Sequence, residues 1–199
     1  MPRPYNLRGE IMSLPTREQA IEILHEYTKS DSLRKHALAV EATMKAFAQE
    51  HGSDTELFAL VGLLHDFDYE RYPNAPDHPL KGSEILRSKN FPEEVIYAIQ
   101  CHADYLGLER RALVDKAIFA LDELTGFIIA CTLVKPNKSL SEIEPKSVRK
   151  KLKDKAFARS VHREDIYKGA EQLGTELDEL IVFVANALKP VAPDIGLNP

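Results

Sequence analysis

Long apolar runs are absent from this sequence: nothing in its 199 residues approaches the roughly 20 that a helix needs to cross a bilayer. No secretory leader precedes the first helical pattern, so a cytoplasmic location without membrane contact is expected. Cysteine is scarce, and Cys101 and Cys131 stand in no metal-type spacing, which excludes a disulfide framework and a zinc finger and suits reduced thiols. Period-two alternation is missing and β-branched residues are scattered, so no strand is expected. There is no Gly-rich phosphate loop, no Gly-x-Ser-x-Gly elbow and no internal repeat. Excess positive charge is lacking too. A net charge of −5 argues against a nucleic-acid polymer held by bulk charge. With 44% hydrophobic and 29% charged residues the chain reads as one all-α domain, large enough to bury a core.

What is present centres on Leu57–Leu64, eight residues without a polar side chain, running directly into His65-Asp66 and then Phe67-Asp68-Tyr69-Glu70. A helix apolar on every face belongs in the middle of the domain. An imidazole and a carboxylate delivered there are costly to bury unless paired, and a metal cation is the obvious partner.

Taken in order, residues 1–15 hold three prolines and no period and read as an irregular arm, with Met12 an alternative start. Thr16 opens a helix on which His25 reads as a surface histidine. Ser30 and Asp31 cap a second, from about Ser32 to Glu50 and ending at Gly52; its apolar face carries His36, which taken alone reads as a hydrogen-bonded core histidine. Asp54 caps the central helix. A charged, tyrosine-rich loop spans 68–77, His78-Pro79 leads into a helix from Lys81 to Ser88, and Phe91-Pro92 starts another. That next helix buries Val95, Ile96 and Ile99 and then places His102 where a leucine is expected. A helix predicted over Glu109–Val134 has its apolar stripe interrupted by Asp122, while the neighbouring Glu123 reads as solvated. Residues 135–163 hold ten lysines and arginines against three acids, a charge of +7 that leaves −12 on the rest. This basic stretch reads as a solvated face or, alternatively, as a rim attracting a phosphorylated substrate. Helices over Arg163–Leu173 and Glu176–Leu188 pack onto the core, and Pro190–Pro199 is expected to fray. The resulting division is an arm (1–15), a helical core (16–135), a basic segment with C-terminal helices (136–190) and a tail (191–199).

His36, His102 and Asp122 thus come from three helices, and His65-Asp66 from a fourth element. Residues that would each be costly if buried alone are explained together if they ring a cation. Imidazoles mixed with carboxylates suit Mn, Fe, Co, Ni or Zn rather than calcium. A metal site between helices of a bundle is a common construction.

The order His36 … His65-Asp66 … Asp122 resembles the H…HD…D pattern of the HD-domain superfamily of metal-dependent phosphohydrolases, an all-α fold, over roughly residues 16–135. His78 and His102 are similar to the extra histidines of its binuclear subgroup. The resemblance implies one metal on His36, His65, Asp66 and Asp122, with Asp66 bridging to a second held by His78 and His102. It departs from the HDIG and HD-GYP patterns: no Gly-Lys follows Phe67-Asp68-Tyr69-Glu70 and no Gly-Tyr-Pro is present. The implied activity is hydrolysis of a phosphate ester of a nucleotide or other small molecule by a metal-activated water. Asp66 would position the water, Asp68, Glu70 and Asp104 are candidate proton donors or supports for ligand imidazoles, and Lys81 and Arg71 candidate phosphate holders, with Lys135 and Lys138 reaching in from the end of the Asp122 helix. Lys81 also stands as a candidate catalytic cation. Competing classes are an HD-type di-iron oxygenase and a non-catalytic module binding a nucleotide or protein. The oligomeric state is not legible.

Overall fold

The computed structural model describes residues 13–199; most of the arm expected over 1–15 lies outside them. Among the described residues there are nine α-helices and no strand: α1 Arg17–Tyr27, α2 Asp31–Glu50, α3 Thr55–Leu64, α4 Asp77–Ser88, α5 Glu93–Cys101, α6 Leu113–Leu133, α7 Pro145–Leu152, α8 Arg163–Leu173 and α9 Leu177–Leu188. The all-α expectation holds. No helix among these is long and apolar enough to cross a membrane.

The helices start where short polar side chains supply acceptors for free N–H groups. Thr16 and Gln19 form a capping box on α1, Ser30 accepts from Leu33 on α2, and the Asp54 carboxylate accepts from the amides of Glu56 and Leu57 on α3. The start of α6 differs from the sequence reading. Glu109 to Arg111 remain outside the helix because the buried Asp115 carboxylate accepts from the amides of Arg111 and Ala112, fixing the helix start after them.

Every residue of α3 from Phe58 to Leu64 is buried, as its all-round apolarity demands. Gly62 is what lets it lie so close to α2: a Cβ there would stand 2.8 Å from the Val40 carbonyl oxygen. Around this pair, α6 packs on α2, α5, α8 and α9, and α5 covers the remaining side of α3. The bidentate pair Arg17–Glu41, at 2.5 and 2.8 Å, ties α1 to α2. Both cysteines are buried, and burial pushes their thiols up, Cys101 to about 12 and Cys131 to about 11.

The tail does not fray. Ala192, Ile195 and Leu197 are buried, and the Asn198 carbonyl accepts from the Leu140 amide while its own amide donates to the Lys138 carbonyl. Apolar residues at 192, 195 and 197 carry no helical period, which is why the sequence pattern concealed a docked segment.

Candidate metal centre

α3 ends at Leu64, and the chain turns through His65 to Glu70 instead of continuing. His65 is fully buried; its Nδ1 donates to the Gly62 carbonyl at 2.8 Å. A carbonyl only accepts, so Nδ1 carries the proton and the Nε2 lone pair faces away from α3. His36 of α2 brings its Nε2 to 3.2 Å from that of His65 and 2.9 Å from Asp122 Oδ1, which itself lies 3.3 Å from His65 Nε2.

A second set joins on the other side of Asp66. His78 sits just before Pro79, in extended backbone that breaks the first turn of α4, as a residue preceding proline favours. Its Nδ1 donates to Asp68 Oδ1 at 2.8 Å, and its Nε2 lies 3.1 Å from Asp66 Oδ1 and 3.0 Å from His102 Nε2. His102, capping α5, donates from Nδ1 to the Ile99 carbonyl at 2.5 Å and presents Nε2 3.4 Å from Asp66 Oδ1. His36, His65 and Asp66 form one group, and Asp66, His78 and His102 another, whose ligand-type atoms all lie within 4.8 Å of one another. Asp66 belongs to both.

Three of the four imidazoles therefore spend their N–H on an acceptor outside the cluster and turn a bare lone pair inward, toward two carboxylates. A pocket of acceptors with no donor is held together by a cation. Where only protons are at hand they take that place. Burial opposes charge on His65, but Asp66 and Asp122 outweigh it and hold its pKa well above the ordinary range. Burial likewise opposes the Asp66 and Asp122 carboxylates, and the adjoining histidines hold both far below the ordinary range. The donor set, imidazoles mixed with carboxylates, fits a divalent transition metal ion.

Other sequence-nominated residues are placed differently. Asp68 is buried behind His78, accepting also from the Gly82 amide at 2.8 Å; a Cβ at Gly82 would come within 2.7 Å of that carboxylate. Asp68 is thus placed to orient the His78 imidazole, with its two oxygens bonded to His78 Nδ1 and the Gly82 amide. Glu70 accepts from the Lys29 and Ser30 amides at 2.7 and 2.9 Å, capping α2 instead of entering the cluster. Arg71 lies over the Tyr27 ring and donates to the Glu26 carbonyl. The Lys81 ammonium pairs with Glu84 at 3.1 Å on the exposed side of α4. Asp104 is taken by Arg110 and Lys168. Lys135 follows Asp122 by thirteen residues along α6 and beyond, so at 1.5 Å per residue it stands about 20 Å away. Lys138 follows in the turn after α6, its amide donating to the Lys135 carbonyl.

The sequence reading missed Tyr69, Tyr105 and Glu123. The Tyr69 ring stands edge-on to His78 with centroids 5.3 Å apart, and the Tyr105 hydroxyl donates to the His78 carbonyl. Both tyrosines are exposed on this flank of the centre. Glu123, expected in solvent, is half-buried 3.9 Å from His162; burial and then the Asp122 carboxylate push it up to about 8. Neighbouring bulk from α8 decides its burial, and no local pattern signals that.

We expect Asp68→Asn to weaken metal affinity about 10–100-fold, because a neutral amide orients the His78 imidazole less firmly. Isothermal titration with Mn(II) reads this directly; unchanged affinity would remove Asp68 from the support of the centre.

Residues 33–126 match the HD domain. The tRNA (cytidine(56)-2'-O)-methyltransferase of Picrophilus torridus is 27% identical over 99 residues, 50% of this chain and 29% of that protein. Ribonuclease Y of Desulfotalea psychrophila is 29% identical over 98 residues, 46% of this chain and 18% of that protein. The chain therefore spans less than a third of the length of either relative. No solved structure matches it. The segment that contains His36, His65, Asp66, His78, His102 and Asp122 is thus an HD domain, consistent with the HD-domain superfamily.

Proposed function

We propose that the protein is a metal-dependent phosphohydrolase that cleaves a phosphate ester of a nucleotide or other small molecule. One observation carries the reading: inward-facing Nε2 lone pairs and two carboxylates fall into two groups that share Asp66. His36, His65, Asp66 and Asp122 would hold one divalent transition metal ion, and Asp66, His78 and His102 a second. Bound there, such ions neutralise phosphoryl charge as Lewis acids and acidify a water near neutral pH.

The protein's own residues set the approach. His65 is sealed, whereas the side chains of Asp66 and His36 keep 22% of their surface exposed, so a phosphate enters from their side. Tyr69 and Tyr105 flank His78 and offer an apolar wall to the organic part of the ester. The relative named as a ribonuclease supports phosphoester cleavage as the reaction class, over the short span it shares.

The test is metal content per chain after expression without an affinity tag, followed by a panel of phosphate esters with and without Mn(II), Co(II) or Fe(II). One to two ions per chain and metal-dependent release of phosphate or of a phosphorylated product are expected. No uptake of any of these metals would overturn the reading, and two irons with substrate-dependent oxygen consumption would transfer it to an HD-type oxygenase.

A further inference from the structure

Outside the metal centre, positive charge is distributed unevenly. Most lysines and arginines elsewhere in the described residues are tied to carboxylates, among them Arg17–Glu41, Lys35–Asp31, Arg87–Glu93 and Lys89–Glu26. In the stretch 135–163, which carries +7, Arg149, with Asp178, is the one lysine or arginine in an ion pair among the described residues. Lys146, Lys150, Lys153, Lys155 and Arg159 are exposed, with no carboxylate at ion-pair distance among those residues.

The arrangement is fixed, not frayed. Val148 and Leu152 are buried, which turns the basic side of α7 to solvent. Arg163 donates to the carbonyls of Leu152, Asp154, Phe157, Ala158 and Val161, folding the connector after α7 into one shape. Lys135, Lys150 and Lys151 line a hollow of about 430 Å³ together with Ser147, Cys131 and Val134, and Asp154 supplies its lone carboxylate. Lys146 and Lys150 stand four residues apart on α7, as do Arg149 and Lys153 across its end, a spacing at which like charges repel. An external anion relieves that repulsion.

The chemistry of the face selects the anion. Its large apolar side chains are few: Val134, at the end of α6, lines the hollow, and Phe157 is half-buried with the Lys151 ammonium 4.5 Å from its ring centroid. A protein partner would need more such anchors. A membrane surface would need a free apolar helix face, and that of α7 is spent on the core. Flexible ammonium groups without exposed aromatic platforms suit repeated phosphates and offer nothing for stacking bases.

We propose that the face formed by residues 135–163 docks a nucleic-acid strand through its phosphates, without sequence preference. The strongly negative remainder of the chain conceals this in the net charge. At one end Lys135 lies about 20 Å along α6 from Asp122, and at the other His162 stands 3.9 Å from Glu123; the charge that carries the proposal, on Lys146, Lys150 and Lys153, does not depend on the reading of the metal centre.

The experiment is fluorescence anisotropy of the full chain with labelled single-stranded RNA and DNA about 20 nucleotides long, across a salt series. Binding to both is expected, falling steeply as salt rises. The triple variant Lys146→Glu, Lys150→Glu, Lys153→Glu should bind at least about tenfold more weakly, and the corresponding triple glutamine variant should show a salt slope reduced by about 2. Metal uptake equal to wild type in both variants reports an intact fold and centre. Absence of binding near 50 mM salt, or affinity unchanged by the triple variants, would overturn the proposal. So would polyglutamate or anionic vesicles binding as tightly and with the same dependence on these lysines. Failure of the metal assay alone leaves this result untouched.

Discussion

Asp66→Ala is expected to strip metal from both halves of the centre at once and to lower kcat/KM by about 10³-fold or more. Asp66 Oδ2 is 3.5 Å from His65 Nε2, while Oδ1 lies 3.1 Å from His78 Nε2 and 3.4 Å from His102 Nε2. Among the described residues no other side chain stands in both groups of donors. Losing one electrostatic stabiliser of a transition state typically costs 10²–10³ in rate, and under the proposed two-ion reading both cations would lose a ligand together. The fold should survive, since Asp66 follows the end of α3 and its side chain is partly exposed instead of filling the core. Metal content per chain with far-UV circular dichroism reads both effects. Wild-type stoichiometry in the variant would remove Asp66 from its shared position.

Phe67→Ala should act through stability, costing about 3–5 kcal/mol, the usual range for removing a buried aromatic ring. Phe67 is among the largest fully buried side chains, and its ring meets Tyr27 edge-on at a centroid distance of 5.3 Å. Its carbonyl accepts from the Thr28 hydroxyl at 2.8 Å, pinning the turn to the connection between α1 and α2. This one residue anchors the backbone between Asp66 and Asp68, so its truncation should loosen the metal site as well as the core. Denaturant midpoint and Mn(II) affinity should therefore fall together. A loss of stability with metal affinity unchanged would show that the turn holds its geometry without the ring.

The helical framework and the cluster-forming residues were legible because each obeys a local rule. His36, His102 and Asp122 interrupt apolar stripes of helical period, and His65-Asp66 terminates an all-apolar helix; a polar group in such a place announces a partner. His78 was visible by its likeness to a known pattern, and the following proline explains its extended backbone. The supporting residues were hidden because their partners are distant in sequence. Asp68 and Glu70 are two acids on one turn, and nothing local says that one meets the Gly82 amide while the other meets the start of α2. Lys135 is different: a rise of 1.5 Å per residue already separates it from Asp122, and the length of α6 alone would have placed it elsewhere. The docked tail was lost to the absence of any period.

The central helix gives the centre a particular kind of endurance. Amides exchange with solvent through the least costly opening available to them, and α3 is enclosed by α1, α2, α5 and α6. Its amides, including those just before His65, should therefore exchange only on global unfolding. Chelation can then empty and refill the site through the Asp66 side while the protons of α3 remain in place.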